Sequence, residues 1–159
     1  MDTASRRPGD EFCVKYDLYS DMLYRIAYMH LGNRHDAEDV LQEAFIKLLF
    51  HAPCFEGAEH EKAWLIRIAI NLSKNRLVAP WRRRVAVMDW DGACAQPGDV
   101  DLLQEVLNLP GRYKAVIHLF YYEGYTVRQI SKILRISESA VKMRLQRGRQ
   151  LLKMELEGD

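Results

Sequence analysis

The sequence predicts an all-α protein built of two small helical domains joined by an acidic linker. Apolar residues recur at helical spacing along most of the chain. One stretch, Met88 to Val100, breaks that period and holds Asp89, Asp91, Gly92, Pro97, Gly98 and Asp99, the composition of a linker. A length of 159 residues accommodates one ordinary domain or two small ones. The expected division is 11–84, a linker over 85–100, and 101–157.

From Glu11 to Leu31, Phe12, Tyr16, Tyr19, Leu23, Ile26, Ala27 and His30 fall near one stripe of a first helix, and Gly32-Asn33 ends it. A second helix opens at Asp36 or the residues just before it, acidic in its first turn as the helix dipole favours, and runs to about Phe50. Its broad apolar face holds Ala37, Val40, Leu41, Ala44, Phe45, Leu48 and Leu49, and Ala52-Pro53 breaks it. After a loop over His51–His60, a third helix runs from about Glu61 to Ala79 and stops at Pro80. Its inward stripe is expected to be Trp64, Leu65, Ile68, Ala69 and Leu72. A short helix over Asp101–Asn108, the break Leu109-Pro110-Gly111 and a helix over Arg112–Tyr122 follow.

The last segment is the most informative. Thr126 is an N-cap with Gln129 placed to complete a capping box, and Ile130, Ile133 and Leu134 supply helical spacing. The helix gives out at Arg135-Ile136, and Ser137 is a ready N-cap for the next one. In that helix Val141, Leu145, Gly148 and Leu152 share the inward face, and Ser139, Lys142, Met143, Gln146 and Arg149 the outward one. Two helices joined by a tight turn, the second presenting a small polar and basic face, suit entry into the DNA major groove.

Charge is balanced overall at +1 but strongly blocked. Arg112 to Lys153 carries ten Lys or Arg against Glu123 and Glu138, and Lys62 to Arg84 carries seven with no acid. Val85 to Gly111 carries five acids and no base, and Asp36 to Glu59 six acids and Lys47. Two basic blocks point to two surfaces facing phosphate, and the acidic blocks to a partner of another kind. Cys13, Cys54 and Cys94 have neither CxxC nor zinc spacing, so free thiols in a reducing compartment are expected. No apolar run is long enough to span a bilayer, and the N-terminus is polar, which places the chain in the cytoplasm. No phosphate-cradling loop, HExxH or nucleophile elbow is present, so no enzyme, metal, cofactor or small-molecule substrate is expected.

Three motifs carry a resemblance. Asp36-Ala-Glu-Asp-Val-Leu-Gln-Glu-Ala-Phe-Ile-Lys-Leu48 resembles the core-polymerase-binding helix of bacterial sigma factors, and Glu61 to Arg76 resembles their −10 promoter-reading helix. Leu109-Pro110 with the helix-turn-helix resembles their −35-reading domain. Order, spacing and length resemble the extracytoplasmic-function (ECF) subgroup over roughly residues 12–155. The resemblance implies a region 2-like bundle, a region 4-like helix-turn-helix domain, and a subunit that binds core RNA polymerase, at clamp and flap, and promoter DNA. An anti-sigma factor is a further implied partner.

The residues agree with it. Asp39, Gln42 and Glu43 share one face of the second helix, an acidic, amide-bearing patch suited to a basic protein partner. As surface residues, Asp39 and Glu43 are expected to tolerate charge reversal without loss of the fold. On the third helix Arg67, Asn71, Lys74, Asn75 and Arg76 form a polar and basic side: basic side chains position the DNA backbone, and the two amides can read base edges. By resemblance, a −10 base is flipped into a pocket formed by the loop Phe55, Glu56, Gly57 to His60 and by Asn71, a step that costs a few kcal/mol of stacking and pairing. The −35 candidates are Ser139, Lys142, Met143, Gln146, Arg147 and Arg149. The linker acids, by resemblance, thread toward the polymerase cleft. The competing readings are a stand-alone helix-turn-helix regulator, which the acidic patch and second basic block disfavour, and a helical adaptor, which the basic last domain disfavours.

Overall fold

The computed structural model describes residues 8–78 and 104–157. The expected linker and the basic run Arg82–Arg84 lie outside the described residues. Every regular element among the described residues is helical: α1 (Pro8–Leu31), α2 (Arg34–Phe50), α3 (Ala58–Val78), a short α4 over 104–107, α5 (Gly111–Ile117), α6 (Val127–Leu134) and α7 (Glu138–Glu157).

Local chemistry sets the boundaries. Gly32 ends α1 at φ 74°, a left-handed conformation that glycine adopts without a Cβ penalty. Asn33 then caps α2, its Oδ1 accepting the Asp36 N–H at 2.8 Å. Such a cap stabilises a helix by about 1 kcal/mol, and it sets the start of α2 at Arg34, among the residues just before Asp36. In the same way α3 begins at Ala58, inside the expected loop, with the Glu61 N–H already donating to Gly57. The helix after Pro110 is α-helical only as far as Ile117 and continues as a π-helix over His118–Tyr122. Lys114 through Leu119 are all buried, so this stretch is enclosed on every side, while Tyr121 and Tyr122 at its end are exposed.

α1, α2 and α3 pack as a bundle around Leu23, Ile26, Val40, Ala44, Leu65 and Ile66. The buried line of α3 runs through Leu65, Ile66, Ala69, Ile70 and Ser73, turned from the expected stripe. Trp64, Ile68 and Leu72 sit at its margin, half-buried, because that flank of α3 meets the loop before it and the second domain. In the second domain α5 and α6 pack on α7 through Val116, Ile117, Ile130, Val141 and Leu145. Gly148 is a packing requirement, since a Cβ there would stand 3.0 Å from Ile117 Cγ1.

The domains also pack on each other, so that their apolar residues form one continuous cluster. The seam is polar as well as apolar. Arg25 of α1 donates to both carboxylate oxygens of Glu123, at 2.8 and 3.0 Å. Lys114 donates to the carbonyls of His30 and Leu107, and Lys62 lies over the Tyr125 ring. Burial pushes the Lys114 ammonium down to about 8. Burial likewise holds the His30 imidazole at about 4, against a donated hydrogen bond to Ile26, with the Lys114 and His118 charges adding to the shift.

Candidate nucleic-acid and polymerase interfaces

Three surfaces carry the expected site residues. The first is on α2. Gln42 is exposed, and Asp39 and Glu43 are half-buried, because α3 reaches across to them. Arg76 donates to Asp39 at 3.3 Å and to Glu43 at 2.5 Å, and its Nη1 lies 3.9 Å from Asp36. The sequence reading put Arg76 on the free basic side of α3; its side chain is only 16% exposed and turned toward α2. Beside this patch Tyr16, Ser20, Asp21, Tyr24, Glu38, Leu41 and Gln42 line an open groove of about 320 Å³ between α1 and α2. An acidic rim over aromatic walls suits a cationic side chain of a partner protein.

The second surface is α3 with the loop before it. Spacings of four, seven, eleven and fourteen residues place His60, Trp64, Arg67, Asn71 and Lys74 within about 40° of a common direction. Asn71, Lys74 and Asn75 are exposed, and Arg67 is half-buried. Arg67 Nη1 donates to the carbonyl of Ile133 in α6 at 3.0 Å. Burial, and the charge of nearby Arg135, lower its pKa. In the loop Phe55 is half-buried, its ring 5.5 Å from Trp64, while Glu56 and Gly57 are exposed. The start of α3 is held by Glu61, buried to 8% exposure, which accepts from Lys15 at 2.7 Å and from the Tyr19 hydroxyl at 3.2 Å. Pattern reading missed this triad, because two of its members lie more than forty residues away on α1.

The third surface is the helix-turn-helix, formed as its sequence dictates. Thr126 and Gln129 make both bonds of the capping box. Arg135 takes the left-handed conformation at φ 57° and ψ 44°, the Ser131 hydroxyl donates to the Ile136 carbonyl at 2.6 Å, and Ser137 caps α7 through the Ala140 N–H. Val141, Leu145 and Gly148 are buried, while Ser139, Lys142, Met143, Gln146, Arg147 and Arg149 are all exposed. Arg149 differs from the other five: its Nε donates to the Tyr121 hydroxyl at 2.5 Å, and its guanidinium lies near the Phe120 and Tyr121 rings. Among the described residues no group of three His, Cys, Asp or Glu could hold a metal ion, and no helix is long and apolar enough to cross a membrane.

Two family models match the chain. Residues 16–83 match the Sigma-70 region 2 family and residues 99–152 the Sigma-70 region 4 family. The chain is 32% identical to the ECF RNA polymerase sigma factor SigW of Bacillus subtilis over 167 residues, covering 92% of this chain and 89% of SigW. It is 31% identical to SigX of the same organism over 166 residues, covering 93% and 84%. In fold it is similar to the sigma factor RpoE of Bartonella quintana, solved in complex with the anti-sigma factor NepR (TM-score 0.70, 24% identity, 94% of this chain and 98% of that one). It is similar also to CnrH, solved in complex with the cytosolic domain of CnrY (TM-score 0.70, 21% identity, 93% and 88%). With both domains matched in order and relatives such as SigW aligned over nearly their whole length, this chain belongs to the ECF family of RNA polymerase sigma factors.

Proposed function

We propose a division of labour for these surfaces in a subunit that binds core RNA polymerase and directs it to promoters with −35 and −10 elements. Asp39, Gln42 and Glu43, with the neighbouring groove, dock on a basic surface of the polymerase clamp. The loop Phe55–His60 and the α3 face bearing Arg67, Asn71, Lys74 and Asn75 receive and hold the opened −10 element. Ser139, Lys142, Met143 and Gln146 read the −35 element in the major groove, with Arg147 and Arg149 on its phosphates. The chain acts in the cytoplasm, and an anti-sigma factor that covers the same surfaces holds it inactive.

The observation that carries this reading is the coexistence of an acidic face on α2 with two separate nucleic-acid-type faces on α3 and α7. A stand-alone DNA-binding regulator has no need of the first. Retention on immobilised core polymerase tests it. The chain should bind core without DNA, and Gln42→Ala, an exposed change that leaves the Arg76 bridge intact, should weaken binding severalfold. Undiminished retention of that variant would move the docking surface elsewhere.

A further inference from the structure

The π-turn over His118–Tyr122 sets an aromatic surface beside the reading helix α7. Its closing bond runs from the Glu123 N–H to the His118 carbonyl at 3.1 Å. Such turns are rare and frequently mark functional sites. An α-helical continuation would place Tyr121 within about 40° of Ile117, a residue only 2% exposed. With the wider turn Tyr121 is instead 54% exposed. The turn is pinned at both ends: the His118 ring stacks on Tyr122 with centroids 5.6 Å apart, and Glu123 is held by Arg25 of α1.

Arg149 is drawn to this surface. Its Nε–H donates to the Tyr121 hydroxyl at 2.5 Å, and its guanidinium carbon lies 5.6 Å from the Tyr121 ring centre and 5.9 Å from that of Phe120. A guanidinium only donates, so the phenol oxygen accepts and its own proton is directed to another acceptor. The Nη groups of Arg149 keep donors for that same acceptor. Around α7, Arg147 and Arg149 fall about 80° to either side of Ser139, on opposite flanks of the reading face. A helix seated in the major groove turns those flanks toward the two sugar–phosphate walls. A phosphate, charged and with several acceptor oxygens, satisfies a guanidinium and a phenol proton together.

We propose that Tyr121, from outside the helix-turn-helix, is a further DNA contact: its hydroxyl and the Arg149 guanidinium grip one phosphate at the edge of the −35 element. The proposal rests on the assignment of α7 to that element made above. Tyr121 orients Arg149 through the Nε bond and donates its own proton to the same phosphate. The π-turn, pinned by His118 and Glu123, holds the phenol in place before DNA arrives, so little ordering remains to be done on binding.

The test is binding of promoter duplex by core polymerase reconstituted with the full chain. One phosphate at a time along the −35 element is replaced by a neutral methylphosphonate, and a second set of duplexes varies the −35 bases. The chains compared are wild type, Tyr121→Phe, Arg149→Ala and Lys142→Ala. Tyr121→Phe, which removes only an exposed hydroxyl, should weaken binding to the unmodified duplex about tenfold, as for a lost hydrogen bond to a charged group. Neutralising one particular phosphate should weaken the wild type but leave Tyr121→Phe and Arg149→Ala almost unaffected. Base preference across the −35 element should be unchanged in both. Undiminished binding by Tyr121→Phe would overturn the proposal. So would a loss equal on every duplex, which would make Tyr121 a structural prop, or insensitivity of the two variants to different phosphates. If Lys142→Ala relaxes −35 base preference while Tyr121→Phe changes nothing, the assignment of α7 stands and the Tyr121 proposal fails. If neither the phosphates nor the bases of the −35 element matter to the wild type, both fall.

Discussion

Arg76 of α3 bridges Asp39 and Glu43 of α2, so the helix assigned to the −10 element is ion-paired to the acidic patch assigned to core polymerase. From the sequence, Asp39 and Glu43 read as free surface carboxylates whose charge could be reversed at little cost. The bridge changes that expectation. Reversal at either position would leave a partly buried guanidinium facing a like charge.

Glu43→Lys should therefore cost stability as well as core binding, on the order of 1–2 kcal/mol, between the values for exposed and buried pairs. Arg76→Met, which removes the charge and keeps the stem, should cost less. Urea unfolding checks both. If Glu43→Lys unfolds at the wild-type midpoint, the bridge contributes nothing in solution.

Acid should weaken the fold in a window set by His30. Its folded pKa of about 4 lies below the ordinary 6.5, chiefly through burial. The folded state thus binds fewer protons, and its stability, full above pH 6.5, falls as the pH drops toward 4. For this residue alone the loss is on the order of 3 kcal/mol. Burial by itself would raise the Glu123 carboxyl, but the His118 ring, its Nε2 3.2 Å away, and the hydrogen bonds from Arg25 hold it at about 2. Its contribution, present above pH 4.5, is lost in a lower window as the pH falls through 2. His30→Gln should flatten the upper window only, as read from unfolding free energies at pH 7, 5.5 and 4. An unchanged slope in that variant would mean that His30 is not the titrating group.

Arg135 spends its backbone in the left-handed region at the turn between α6 and α7. Arg135→Gly removes the Cβ penalty and the repulsion on Arg67, so the chain should become more stable by up to about 1 kcal/mol. A lower thermal midpoint would show that the arginine side chain contributes more than the turn costs.

Gly148 calls for the opposite change. With Ile117 Cγ1 3.0 Å from a Cβ there, Gly148→Leu should force α7 away from α5 and cost about 1–3 kcal/mol. Thermal unfolding decides it, and a neutral result would mean the two helices separate without strain.

The helix-turn-helix was legible because its determinants are local. Thr126, Gln129, Ser137 and the 141/145/148 spacing act within a few residues, and each appears as expected. The turned stripe of α3 was not, because whether Trp64 or Ile66 faces inward depends on which neighbour covers each flank. The Glu61–Lys15–Tyr19 triad, the Arg25–Glu123 pair and the Arg76 bridge were hidden for the same reason: all link residues far apart in the chain. The π-turn at His118–Tyr122 gave no signal either, since it continues the stretch Lys114–Leu119, which is buried throughout and so has no period to read.

The central claim is that this chain gives core polymerase its choice of promoter by reading two elements with two domains. Run-off transcription from a library randomised over both elements, by core polymerase with and without the chain, tests it most directly. The account predicts two enriched blocks that appear only when the chain is present, with Lys142→Ala relaxing the −35 block and Asn71→Ala the −10 block. The same templates with and without the chain, or a single block insensitive to Asn71→Ala, would contradict it.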